Sequence, residues 1–146
     1  MPRPTRLDRA LVILGTLLAW FPIAATLVLS TIGTIADRTL RFDFLMPAEL
    51  FLFFAVGGLL LSVAAVRLAR RRWTVIGGTT AAVAALAATQ GLAVVTGLAH
   101  GDAEPVGWRL ALVIGFLVLY TVAVVVTAVG GVQLWRDTAV ARRQEA

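Results

Sequence analysis

The chain lacks cysteine and lysine and has a single histidine, His100. Without cysteine there are no disulfides, thiol nucleophiles or thiolate metal ligands. One histidine excludes a metal site built from several histidines of one chain. Charge is also scarce, since 14% of the 146 residues are charged and 60% are hydrophobic. Because a soluble core of this size needs more polar surface, the composition predicts a single-domain integral membrane protein.

Four apolar stretches follow one another, and none has a charged residue beyond its first turn. Each is long enough to cross the ~30 Å hydrocarbon core of a bilayer as a helix. They are Ala10–Ala36, Pro47–Val66, Val75–Ala99 and Leu110–Leu134. The sequence therefore predicts an all-α, antiparallel four-helix transmembrane bundle, with a bend at Pro22. A cleaved signal peptide is the alternative for the first stretch, but its apolar run is too long for one.

The arginines are distributed unequally between the two sides of this bundle. Ten arginines lie in the N-terminus, the 67–72 loop and the C-terminal tail, against three carboxylates. The other two loops hold three arginines and five carboxylates. The positive-inside rule then predicts that both termini are cytoplasmic, with Trp73, Trp108 and Trp135 at membrane boundaries. The absence of lysine among so much alanine and valine suggests a GC-rich bacterial genome, so we expect the cell (plasma) membrane.

The partners that the sequence predicts are lipids and other membrane helices. The arginines best placed for anionic lipid headgroups are Arg67, Arg70, Arg71 and Arg72. No basic and aromatic surface outside the membrane is long enough for nucleic acid. We expect a protein partner to be another membrane protein or a second copy of this chain.

The third stretch has a row of small residues four positions apart. The row consists of Gly77, Ala81, Ala85, Thr89, Ala93, Gly97 and Gly101. On a helix, such residues form a shallow groove that lets a neighbouring helix approach closely. We therefore expect the third helix to lie centrally in the bundle. The same residues serve packing within a chain and between chains, so the pattern alone does not separate the two.

Acidic residues collect on the two loops of the side opposite the termini. This outer acidic face consists of Asp37, Asp43, Glu49, His100, Asp102 and Glu104. Carboxylates with one imidazole can bind a divalent cation or relay protons. Their spacing matches no metal-binding loop, and helix capping with charge neutralisation explains them equally, so we expect no metal site.

Polar and small residues also fall at one depth inside the bilayer. A step of ten residues inward from the outer end of each helix, about 15 Å, reaches this layer. It consists of Thr26, Gly57, Gly58, Gln90 and Tyr120. One hypothesis is a mid-membrane pocket for a polar group of a lipid or small ligand. The alternative is that Gln90 bonds to Tyr120 or to a backbone carbonyl as interhelical glue.

The four-residue sequence Ala55-Val56-Gly57-Gly58 recurs at residues 128–131, half the chain later. A duplicated two-helix hairpin would produce such a repeat. However, Gly57 lies about ten residues from the outer end of its helix and Gly130 about twenty, at different depths. Coincidence in a composition rich in alanine, valine and glycine is the better interpretation.

The membrane interior lacks the ionisable residues that ion-coupled carriers use. Small multidrug transporters resemble this chain in size and helix count, but they rely on a glutamate in the first span, and Ala10–Ala36 has none. No set of side chains suited to catalysis converges either, so we expect neither an enzyme nor a cofactor. The sequence favours a non-enzymatic protein that works by interaction, as a complex subunit or a self-associating bundle. The alternatives are a small oligomeric transporter or channel and a binder of a lipid or small ligand.

Overall fold

The protein consists of four long helices in the computed structural model, which describes residues 5–37, 48–96 and 107–143. The helices are α1 (Arg6–Asp37), α2 (Ala48–Leu68), α3 (Arg72–Val95) and α4 (Trp108–Arg143). Each is long and apolar enough to span a membrane. The prediction of an all-α, multi-pass membrane protein is therefore confirmed.

α1 begins four residues before the predicted start because Thr5 and Asp8 form a capping box. The Asp8 carboxylate accepts hydrogen bonds from the Thr5 N–H at 2.9 Å and from the Thr5 hydroxyl at 2.7 Å. The Thr5 hydroxyl accepts from the Asp8 N–H at 3.3 Å. These bonds satisfy donors that a helix N-terminus otherwise leaves free. From there α1 is continuous through Pro22, which is fully buried.

A three-residue turn, Ala69–Arg71, joins α2 to α3. The Arg70 N–H donates to the Ala65 carbonyl and the Ala69 N–H to the Val66 carbonyl, both at 3.2 Å, which is the Schellman arrangement. Ala69 and Arg71 both adopt the left-handed conformation, each with φ of 54°. A side chain costs about 1–2 kcal/mol in that region, where glycine is usual. The turn is therefore tight and its backbone is strained at two positions.

α4 continues well beyond the predicted end at Leu134. Its 36 residues reach Arg143 and include the segment that the sequence suggested to be a polar tail. At about 1.5 Å per residue the helix is roughly 54 Å long, against a hydrocarbon core of ~30 Å. Alanine and arginine favour helix, so the change to polar composition after Leu134 does not end the helix.

The helices form an antiparallel ring in chain order. α1 packs extensively on α2 and α3 on α4, and α1–α4 and α2–α3 contacts close the ring. α2 and α4 also touch across the middle, whereas α1 and α3 do not meet within the described ranges. The expectation that α3 lies centrally is therefore wrong. α2 and α4 occupy the short diagonal, and α3 is a corner helix.

The buried side of α3 is not the row of residues four apart. It follows spacings of three and four, through Val75, Gly78, Ala82, Ala85 and Thr89. Of the row, Gly77 and Ala81 are exposed and Ala93 is half-buried, while Gly97 and Gly101 lie outside the described residues. Each step of four turns about 40° around a helix of 3.6 residues per turn, so the row leaves a contact face within a few steps. Alternating steps of three and four stay on it, as in a coiled coil.

Glycines allow the helix backbones to come into contact. A Cβ added at Gly57 would lie 2.8 Å from the Ala19 nitrogen and 2.9 Å from the Gly15 carbonyl oxygen, so α2 and α1 touch main chain to main chain. A Cβ at Gly78 would lie 2.5 Å from the Thr127 hydroxyl at the α3–α4 interface. Small residues are what permits such close approach in membranes.

The two copies of the repeated four-residue sequence contact neighbouring helices at different heights. Gly57 meets the middle of α1 near Ala19, whereas Gly130 meets Thr74 and Val75 at the start of α3. Two copies of a duplicated hairpin would place these glycines at equivalent levels. The structure therefore gives the repeat no common packing role.

Three buried threonine hydroxyls bond to the backbone of their own helix. Thr16, Thr89 and Thr127 are buried, and each donates to the carbonyl one turn earlier at 2.6–2.9 Å. Such bonds satisfy the hydroxyl without joining two helices. In one of the hydrogen bonds that do join two helices, the Trp20 indole N–H of α1 donates to the Ala128 carbonyl of α4 at 3.3 Å. Packing therefore holds the helices together more than polar contacts do.

We expect Gly57→Ala to lower the stability of the bundle by about 1–3 kcal/mol, because the new methyl group meets the α1 backbone, which cannot move aside cheaply. The measurement is thermal unfolding of the purified protein in detergent. Gly115→Ala is the matched control, since Gly115 is exposed and a Cβ there meets nothing within 4 Å. Equal melting temperatures for the Gly57 variant and wild type would contradict this account of the α1–α2 contact.

Candidate functional site

The charged side chains that the structure describes lie at one end of the bundle, which holds the start of α1, the α2–α3 turn and the C-terminal part of α4. We call it the arginine-rich end. Asp8 lies there with only 4% of its surface exposed, and the Arg67 Nε donates to its carboxylate at 2.6 Å. The same carboxylate caps α1, so one side chain fixes the start of α1 against the end of α2. The sequence offered a signal for this role in the spacing of Thr5 and Asp8, which fits a capping box.

A second, looser cluster joins the α2–α3 turn to α4. Asp137 lies 3.7 Å from the Arg71 Nε and 3.9 Å from the Arg70 guanidinium. The four arginines predicted to meet lipid headgroups are thus not equivalent. Arg67 is committed to Asp8, and Arg70 and Arg71 share Asp137. Arg72 is exposed and forms no ion pair within the described part of the chain.

A cavity of about 740 Å³ opens beside the α2–α3 turn. Val66 and Ile76 provide apolar walls, and the polar residues Arg71, Arg72 and Thr74 line the rest. Trp73 lines the cavity as well and is almost fully exposed. The cavity therefore combines cationic and apolar surface at one end of a membrane bundle.

The residues of the predicted mid-membrane layer do not converge on one pocket. Tyr120 is buried among Phe51 and Phe54, with ring centroids 6.4 Å from each. Gln90 lies on the exposed side of α3, and no hydrogen bond joins it to Tyr120. Among the described residues, Gln90 and Tyr120 therefore do not form the interhelical bond that the sequence suggested.

The other members of that layer have separate surroundings. Gly57 contacts α1, whereas Gly58 contacts Thr79 of α3. Thr26 is half-buried, and its hydroxyl oxygen is buried without a hydrogen-bond partner. The structure therefore distributes the layer over several interfaces.

Most of the predicted outer acidic face lies outside the described residues. This applies to Asp43, His100, Asp102 and Glu104, while for Asp37 and Glu49 only the backbone is described, at the end of α1 and the start of α2. Among the described residues, no group of three potential ligands is placed to hold a metal ion.

The outward face of α3 differs from the outward faces of the other three helices. α1, α2 and α4 expose large apolar side chains such as Leu17, Leu59 and Leu119, which suit lipid. α3 exposes Val83 in its middle and Val94 and Val95 at its end, but its other exposed residues after the first turn are small or polar, and we call these the outward face of α3: Gly77, Thr80, Ala81, Ala84, Ala87, Gln90 and Gly91. They repeat every three or four positions, as helix contact faces do.

In comparisons with known proteins, no family model, no curated protein and no solved structure matches the chain.

The ion pair between Asp8 and Arg67 generates a prediction about stability. We expect Asp8→Asn to lower the stability of the bundle by about 1–3 kcal/mol, because the capping bonds weaken and Arg67 loses its anion. Asp137→Asn is the control, and we expect a change of about 0–1 kcal/mol because its pairs are longer and more exposed. Thermal unfolding in detergent measures both. If Asp137→Asn proved the more damaging substitution, the assignment of Asp8 as the main fixed point of this end would fail.

Proposed function

We propose that this chain is a non-enzymatic membrane protein that works by association, as a subunit of a larger complex or a self-associating bundle, through the outward face of α3. One observation carries the proposal. Among the four candidate membrane spans, the span in α3 has the lowest mean hydropathy and also the smallest share of residues buried inside the chain. A single chain would therefore expose its least apolar span to lipid more than it exposes the other three.

Association with another membrane helix removes this mismatch. Small residues at a helix surface allow close backbone approach, and van der Waals packing is the main driving force when both helices already lie in lipid. Gln90 adds a donor and an acceptor on the same face, and an amide in hydrocarbon is stabilised by a partner in another chain. Neither feature has a use within the ring of helices that the chain forms by itself.

Neighbouring alanines provide a test that separates assembly from folding. We expect Ala81→Leu to abolish association while the chain stays folded, because Ala81 is exposed on the outward face. We expect Ala82→Leu to lower stability by about 1–3 kcal/mol, because Ala82 is fully buried and a larger side chain overpacks the core. Val122→Leu, on the exposed side of α4, should change neither property.

The measurement is native mass spectrometry of the tagged protein purified gently from its membrane, with thermal unfolding alongside. A stoichiometric second protein would identify a subunit of a complex, and a defined homo-oligomer would identify a self-associating bundle. Recovery of wild type as a monomer without a partner, or of Ala81→Leu in an unchanged assembly, would refute the proposal.

The transporter or channel alternative depends on the same face. In an oligomer formed through α3, copies of Gln90 would come together between the chains, which gives a polar surface that the single chain lacks. Cation or solute flux in proteoliposomes that disappears in Gln90→Ala would favour this alternative over a purely associating protein.

We further propose that both termini are cytoplasmic in a bacterial cell membrane, on the strength of the arginine distribution. Because the chain has no cysteine, a single introduced thiol reports one site alone. We expect Arg136→Cys, at an exposed position of α4, to react with a membrane-impermeant maleimide in inverted vesicles and not in intact cells. The opposite labelling pattern would reverse the orientation.

A further inference from the structure

The cavity beside the α2–α3 turn has a charge arrangement that the helix itself does not explain. The backbone dipoles of a helix make its N-terminus positive, so acidic side chains are favoured there and basic ones are not. α3 has no acidic residue in its first turn and starts with Arg72, directly after Arg70 and Arg71. Arg71 occupies the N-cap position without a side-chain cap. Positive groups therefore accumulate at one end of the helix.

The charges already present do not neutralise this accumulation. Asp137 is shared between Arg70 and Arg71 at 3.9 and 3.7 Å, longer than direct hydrogen bonds. Arg72 has no carboxylate partner in the described part of the chain, and no carboxylate lines the cavity. An anion in the cavity would face a net positive surface.

The remaining walls select among anions. Val66 and Ile76 line the same cavity, and Val66 is half exposed, so apolar surface lies next to the guanidinium groups. Trp73 stands almost fully exposed at the mouth, as expected of an indole at the boundary between hydrocarbon and headgroups. A small inorganic anion would leave the apolar walls uncovered. An amphiphile with a phosphate and an acyl chain would cover both kinds of surface.

We propose that this cavity binds one anionic phospholipid, with its phosphate between Arg71 and Arg72 and its acyl chain along Val66 and Ile76. Thr74 also lines the cavity. Arginine suits this role because its planar guanidinium binds phosphate oxygens in pairs. Basic pockets between membrane helices are known to bind such headgroups. The site does not depend on association through α3.

Lipid adducts on the intact protein, counted by native mass spectrometry from detergent, test the proposal. The probes are phosphatidylglycerol, phosphatidylcholine of the same chain length and inorganic phosphate. We expect wild type to retain phosphatidylglycerol in preference to phosphatidylcholine, and Arg72→Gln to weaken that binding about tenfold, as the loss of a charge-assisted hydrogen bond predicts. Arg136→Gln is the matched control, an exposed arginine at the same end that does not line the cavity, and we expect it to bind as wild type does.

Two further variants distinguish a lipid from free phosphate and a site from general attraction. Val66→Ser should weaken phosphatidylglycerol binding if the acyl chain lies there, and excess inorganic phosphate should not displace the lipid. Equal losses in Arg72→Gln and Arg136→Gln would reduce the effect to surface charge and overturn the proposal. So would equal retention of the two lipids, or displacement by inorganic phosphate. Arg72 is exposed at an unfavourable end of the helix dipole, so Arg72→Gln should melt no lower than wild type, which separates lost binding from lost folding.

Discussion

Helices that already lie in lipid gain little from hydrophobic burial when they meet, and this constraint shapes the whole protein. Lipid tails are as apolar as a leucine side chain, so helix association depends on close packing. The chain meets this requirement with glycine where helices cross. At Gly15 and Gly57 the backbones of α1 and α2 touch. Larger residues at these positions would separate the helices and remove most of what holds them together.

The polar end of the bundle works by a different principle. Asp8 lies where the membrane-spanning part of α1 begins, and its carboxylate serves the helix cap and Arg67 at once. Its position therefore fixes the relative height of α1 and α2 at this end, in addition to the glycine contacts. The α2–α3 turn then fixes the next pair within three residues, at the cost of two left-handed side-chain-bearing residues. Packing determines how close the helices lie, and this end determines their register.

The sequence predicts the number of helices and their order well, because hydrocarbon imposes a length and a polarity that composition reveals directly. The first and last residues of the helices are harder to predict from the sequence. α1 starts at Arg6 because Asp8 is a capping residue, and α4 passes Leu134 because a helix does not end where a membrane does. The prediction of the face that α3 buries was wrong. Residues four apart were chosen because they are small, whereas the buried residues of α3 follow alternating spacings of three and four. The proposed layer of Gln90 and Tyr120 shows that equal depth does not imply a shared interior, because rotation of each helix depends on its neighbours.

Intrahelical bonding of the buried threonines also bears on how the protein is made. Thr16, Thr89 and Thr127 are each satisfied by a carbonyl of their own helix. These three hydroxyls therefore do not have to wait for a neighbouring helix when their segments leave the insertion machinery. As far as these side chains are concerned, a segment is able to enter the bilayer first and meet its neighbours later by lateral diffusion. Biogenesis then separates into insertion, which each segment completes independently, and assembly, in which the glycine contacts decide which neighbours fit.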